Sequence, residues 1–154
     1  NNTEWGIGTD CSGGNDDYDM LEEMRAAILI NNTHSKERLI TPKEIFDIST
    51  RLNISRISLN KMNGTLTEGQ PADFISIEIN NSRMQPLHDV INNIVMCASS
   101  KEIKDVFVNG AEVLRNNELV SIDEEKLIYE GKETIGQIFD KTGFTERIQS
   151  GDFN

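Results

Sequence analysis

Gly6-Ile7-Gly8-Thr9-Asp10, followed by Cys11-Ser12-Gly13-Gly14-Asn15-Asp16-Asp17 and then Asp19-Met20-Leu21-Glu22-Glu23-Met24-Arg25, is the stretch on which the fold is decided. Trp5 and Ile7 alternate with glycine, so residues 5–9 read as a short strand whose glycines allow a neighbouring backbone or a ligand to approach closely. The strand stops on a carboxylate, a small-residue turn follows, and an acidic helix start comes next. In α/β barrels a polar residue at the C-terminal end of a strand sits at the mouth where chemistry is done, which makes Asp10 the first candidate for a functional side chain. Aspartate also initiates ordinary turns. On spacing alone that second reading is the better one.

Working outward, Asp16 or Asp17 is positioned to cap a helix running to about Leu29, with Asp19, Glu22 and Glu23 in early turns that favour negative charge. Met20, Leu21, Met24, Ala27 and Ile28 recur at helical spacing and mark a buried face. Asn31 to Ser35 is a polar break that leaves His34 exposed. Thr41-Pro42-Lys43-Glu44 is a helix start with its own capping box, and Ile45, Ile48 and Leu52 mark one face. Asn53 is expected to cap a second short helix through Ile57 and Leu59. A turn-rich connector, Asn63 to Asp73, leads to a strand over 74–79. Pro86-Leu87-His88-Asp89 opens a helix through Ile91, Ile94, Val95 and Cys97, with His88 as a capping or packing residue. Ile103–Val108 and Ala111–Arg115 read as a hairpin closed by Asn109-Gly110, the best two-residue turn signal in the chain, and Glu118-Leu119-Val120 extends the sheet. Ser121 and Glu124 form another capping box, Leu127, Ile128, Ile135, Ile138 and Phe139 stripe the last helix, and the chain frays from about Gly143.

Composition limits the function classes. The chain has 154 residues, 36% hydrophobic and 27% charged, with 26 acidic against 15 basic side chains and a net charge of -11. Such a surface repels phosphate backbones and anionic lipid, so neither nucleic acid nor membrane is an expected partner. Cys11 and Cys97 form neither a metal pair nor a disulfide framework, and free thiols suit a reducing cytoplasmic setting. The two histidines, His34 and His88, cannot build a His-rich metal site of the usual kinds. The start at Asn1, without Met and close to a strand, is expected of a piece of a longer protein.

Three separated segments together resemble the C-terminal part of the amidohydrolase superfamily, in the branch of S-adenosylhomocysteine/methylthioadenosine deaminases, guanine deaminases and s-triazine chlorohydrolases. They are Gly8-Thr9-Asp10 with Asp19 to Arg25, then Gly64-Thr65-Leu66-Thr67-Glu68-Gly69-Gln70-Pro71-Ala72-Asp73-Phe74-Ile75, and Pro86-Leu87-His88-Asp89 with Ile103 to Gly110. Each is weak alone; in order and at fitting distances they make a specific signal up to about Val120.

The resemblance implies the last strand and helices of a (β/α)8 barrel in residues 1–62, β-sandwich strands with an inserted helix in 63–122, and a C-terminal helix and tail in 123–154. It implies that Asp10 ligates a divalent metal, zinc before iron, and handles the proton of the attacking water. The implied substrate is a small nucleobase- or nucleoside-like molecule, a purine, pyrimidine or triazine-like ring that loses ammonia or a halide. A homo-oligomer is allowed. The family's His-x-His, its two further histidines and its catalytic Glu have no counterpart here, so the chain alone is expected to be inactive. The alternative reading is a non-catalytic scaffold that keeps the fold without a complete site, and another amidohydrolase branch, of imidazolonepropionase or hydantoinase type, is a third.

Overall fold

Asp19 starts the first helix, α1 (Met20–His34), by accepting from the main-chain N–H groups of Leu21 and Glu22 with Oδ1. This satisfies two of the donors every helix start leaves open. The cap thus falls two or three residues later than the sequence suggested, because Asp17 is occupied in accepting from Asp19 N at 3.0 Å. The helix also runs five residues past Leu29. Asn31 and Asn32, read as a break, instead fasten its last turns to the following loop by bonds to the carbonyls of Arg38 and Ile40. The computed structural model describes residues 5–36, 38–53 and 64–150, with backbone alone for 148–150.

The second helix, α2 (Pro42–Asp47), starts as expected. Thr41 Oγ1 accepts from Glu44 N, and Glu44 Oε2 accepts in return from Thr41 N at 3.0 Å. It continues into a wider π turn over Ile48–Leu52, where the hydroxyls of Ser49 and Thr50 donate to the carbonyls of Ile45 and Phe46. Asn53 has helical backbone angles at the end of this turn. The helix expected through Ile57 and Leu59 lies outside the described residues.

A third helix, α3 (Val90–Cys97), is capped by Asp89, while His88 lies exposed before the cap and takes neither role expected of it. Leu21, Met24 and Ile28 of α1 meet Ile45 of α2, Met84 of a loop, and Val95 and Ala98 at the end of α3 in one buried cluster. Burying side chains of this size contributes about 1.5–3 kcal/mol each. Asn93 is buried among them and is satisfied, donating from Nδ2 to the carbonyl of Met84 at 2.8 Å.

The sheet is antiparallel, in the order β1 (Phe74–Ile77), β2 (Ile103–Val108), β3 (Ala111–Arg115) and β4 (Glu118–Leu119). Phe74 opposes Phe107, and their rings stack at 4.5 Å. The β2–β3 turn is the expected one: Asn109 and Gly110 have φ of 50° and 78°, the left-handed pair that a two-residue hairpin demands. Phe74 and Ile75 are more than a third exposed. They line an open apolar cleft of about 530 Å³ with Phe46 and Phe107.

Residues 5–9 do not form a paired strand. A strand exists through its partners, and no described segment pairs with this one. Asn53 braces it instead, donating from Nδ2 to Ile7 O at 2.8 Å. A Cβ on Gly6 would collide with Asn53 Oδ1, so glycine is what permits that approach.

The chain divides into two compact units, Asn1–Glu118 and Leu119–Asn154. In the second, Asp123 caps α4 (Glu124–Thr142) by accepting from Lys126 N at 3.0 Å, displacing the expected Ser121–Glu124 box. No residue of α4 is buried. Gly143 does not begin a frayed tail. It is a left-handed C-cap that turns the chain into α5 (Phe144–Ser150), and the rings of Phe139 and Phe144 lie 4.9 Å apart. Among the described residues no helix is long and apolar enough to cross a membrane.

Candidate functional site

Asp10 has a φ of 60°, a left-handed conformation that side chains other than glycine rarely adopt and that a short polar side chain tolerates best. Non-glycine residues held in this way concentrate at functional sites. The carboxylate is exposed, and its Oδ1 accepts from Cys11 N at 2.7 Å. Its Oδ2 lies against Gly14, where an added Cβ would come within 3.0 Å. A tight turn follows, with Gly14 N and Asn15 N both donating to Cys11 O at 2.9 Å.

The rest of the loop is fastened at two places. Ser12 N donates to the phenol oxygen of Tyr18 at 3.2 Å, and hydrogen bonding with the Ser12 side chain first, and with this N–H second, holds the Tyr18 pKa below its ordinary value. Asn15 Nδ2 donates to Glu23 Oε1 at 2.6 Å. Asp17 is occupied at the start of α1, while Asp16 and Cys11 are exposed.

Residues of the Asp19–Arg25 segment, which carried part of the resemblance, have structural partners. Asp19 Oδ2 accepts from Ser100 N at 3.3 Å. Arg25 reaches the end of α3, donating from Nε to Val95 O at 3.3 Å and from a terminal nitrogen to Ala98 O at 2.5 Å. These are carbonyls that a helix end leaves without intrahelical partners. Neither Arg25's cross-link nor the Asn15–Glu23 bond was legible in the sequence, which does not pair residues 70 positions apart. The signal available for the second pair was an amide donor and a carboxylate flanking one helix cap.

The donor chemistry suits a metal in part. The Asp10 carboxylate is a hard oxygen donor of the kind a divalent ion takes, and among the described residues only its Oδ1 accepts a hydrogen bond. Among the described residues, however, no group of three or more His, Cys, Asp or Glu side chains is placed to hold an ion. His34 sits exposed on the last turn of α1, its Nδ1 donating to Ile30 O, and His88 is exposed ahead of α3. The chain fits a metal as the supplier of one ligand. Asp10 lines neither the cleft beside Phe74 nor a second apolar cleft of about 490 Å³ lined in part by Met20, Met24, Phe46 and Ile77.

The profile of the Amidohydrolase family matches residues 1–113. The 5-methylthioadenosine/S-adenosylhomocysteine deaminases of Bacillus thuringiensis (strain Al Hakam) and Bacillus cereus (strain G9842) are each 36% identical over 126 residues, which cover 81% of this chain. The chain spans 29% of the length of these relatives. Among solved structures, an adenosine deaminase from Xanthomonas campestris with bound zinc superposes with a TM-score of 0.78 at 25% identity, covering 86% of this chain and 30% of that one. Atrazine chlorohydrolase from Arthrobacter aurescens TC1, complexed with zinc, superposes with a TM-score of 0.73 at 24% identity, covering 83% and 29%, and shows likeness of fold. The architecture is that of part of a metal-dependent hydrolase barrel with its flanking strands, and the chain belongs to the amidohydrolase family.

Proposed function

We propose that this chain is the C-terminal portion of a metal-dependent aminohydrolase that deaminates a purine or similar ring, with a nucleoside-like substrate favoured over a triazine. The observation that carries the proposal is Asp10, an exposed carboxylate held at positive φ within the Gly8-Thr9-Asp10 segment of the matched region. The identity to deaminases that act on nucleosides supports a ring amine as leaving group.

In this reading residues 1–62 complete the barrel, 63–122 belong to the flanking strands and 123–154 are a C-terminal segment outside the barrel. Asp10 contributes one ligand to a divalent ion, zinc by analogy with the zinc-bound neighbour. The remaining ligands come from elsewhere in the protein. The ion, when bound, lowers the pKa of a coordinated water toward neutrality. Asp10 accepts the proton the attacking water gives up and returns it to the departing amine, a role its exposed carboxylate suits. This chain by itself is catalytically silent.

Elemental analysis of the full-length gene product tests the proposal. About one tightly held divalent ion is expected in the parent protein, lost or much weakened in Asp10→Ala, with ammonia release from adenosine-type nucleosides falling in parallel. A parent protein without metal, or an Asp10→Ala variant that keeps both metal and activity, overturns it.

A further inference from the structure

Between Cys11 and Tyr18, Asn15 alone is half-buried. Its two nitrogens serve opposite ends of the loop. The main-chain N–H donates to Cys11 O at 2.9 Å and closes the turn directly after Asp10. The side-chain Nδ2 donates to Glu23 Oε1 at 2.6 Å, in the first turn of α1. A hydrogen bond to a carboxylate is among the stronger ones. α1 is in turn fixed to the packed body by Asp19 on Ser100 N, by Arg25 on the end of α3, and by the buried Leu21, Met24 and Ile28. Of the two places where the loop is fastened, Asn15 is therefore the one that joins the exposed, conformationally unusual turn at Asp10 directly to α1.

We infer that Asn15 is a positioning residue: through its hydrogen bond to Glu23 it holds the turn that presents the Asp10 carboxylate to the divalent ion. The inference rests on the function proposed above. Groups that orient a metal ligand without touching the metal change affinity by about 10–100-fold when removed.

The test is zinc affinity of the full-length product, measured by competition with a chromogenic chelator, beside the melting temperature of the zinc-free protein. Asn15→Asp sets two carboxylates against each other and is expected to weaken zinc binding by about 10–100-fold. Glu23→Gln keeps an acceptor, removes its charge, and loses the smaller part of that. In the double variant Asn15→Asp/Glu23→Gln the roles are exchanged: the introduced amide donates to the introduced carboxylate. Affinity then returns to within a few-fold of the parent, the coupling that a double-mutant cycle detects. If Asp10→Ala abolishes zinc binding while Asn15→Asp changes only the zinc-free melting temperature, or if the double variant shows no recovery, the positioning role is wrong. If Asp10→Ala itself leaves zinc affinity unchanged, the proposed function fails and the inference with it.

Discussion

Two helices of this chain carry apolar stripes that look alike and end differently. On α1, Leu21, Met24 and Ile28 are each at most 5% exposed; on α4, Leu127, Ile128, Ile135 and Ile138 are each 46% exposed or more. A stripe at helical spacing states that a face needs cover. It does not state whether the cover is in the same chain. The difference lies in what surrounds each helix. α1 has α2 and α3 to pack against, and it is anchored by Arg25 and Asp19, whereas among the described residues of its own unit α4 has one neighbouring helix, α5.

The sharpest way to break this comparison is to truncate one side chain from each stripe or its partner in the full-length product. Ile45→Ala, at a site with no exposure, is expected to cost about 2–5 kcal/mol in denaturant unfolding. Ile135→Ala is expected to cost under about 0.5 kcal/mol if its face stays in water. A loss at Ile135 as large as that at Ile45 means the α4 stripe is covered in the whole protein.

A smaller effect is expected at the anchor. Arg25→Ala removes donors from the last carbonyls of α3 and should cost about 1.5–3 kcal/mol, the range for hydrogen bonds involving a charged group. Arg25→Lys recovers only part of it, because a lysine cannot present the two separate donors that Val95 and Ala98 use. Equal stability of Arg25→Ala and the parent would show that α1 is held by packing alone.

The mildest effect concerns pH. Glu102 is buried, which alone disfavours its charge. The N–H and hydroxyl of Ser99 and the nearby Arg83 guanidinium nevertheless hold its pKa below the ordinary carboxylate value. A carboxylate whose pKa is lowered by folding adds stability that is present above its unfolded pKa, about 4.3 for glutamate, and is lost as pH falls through the folded value. The acid limb of a stability–pH profile should therefore be shallower in Glu102→Gln. An unchanged limb would show that the Ser99–Glu102 turn contributes nothing to acid sensitivity.

What was legible in the sequence was local. The Thr41–Glu44 capping box and the Asn109-Gly110 hairpin appear as read, because each is decided by residues within four positions of one another. Asp19 displaced Asp16 and Asp17 as the cap, and Asp123 displaced Ser121, because neighbouring residues of equal capping ability differ in which one adopts extended backbone, and the surroundings settle that. Residues 5–9 were read as a strand from their alternation, but pairing is non-local, and the side chain that braces Ile7, Asn53, lies 46 positions away. At the candidate site the sequence singled out Asp10. It was silent on the left-handed backbone there and on Asn15–Glu23, which exist only once the loop is folded back onto α1.

The β2–β3 turn has one more consequence, for chemical ageing. An asparagine followed by glycine loses ammonia when the glycine main-chain nitrogen attacks the asparagine side-chain carbonyl and closes a succinimide ring. Here that nitrogen is engaged, since Gly110 N donates to Ala72 O at 3.0 Å, and Asp73 Oδ1 accepts from Asn109 N beside it. The connector before β1 thus shields the sheet's most labile bond. Peptide mapping after prolonged warm storage should find deamidation at Asn109 slower in the folded protein than in the denatured chain, and equal rates would show that the shield is open.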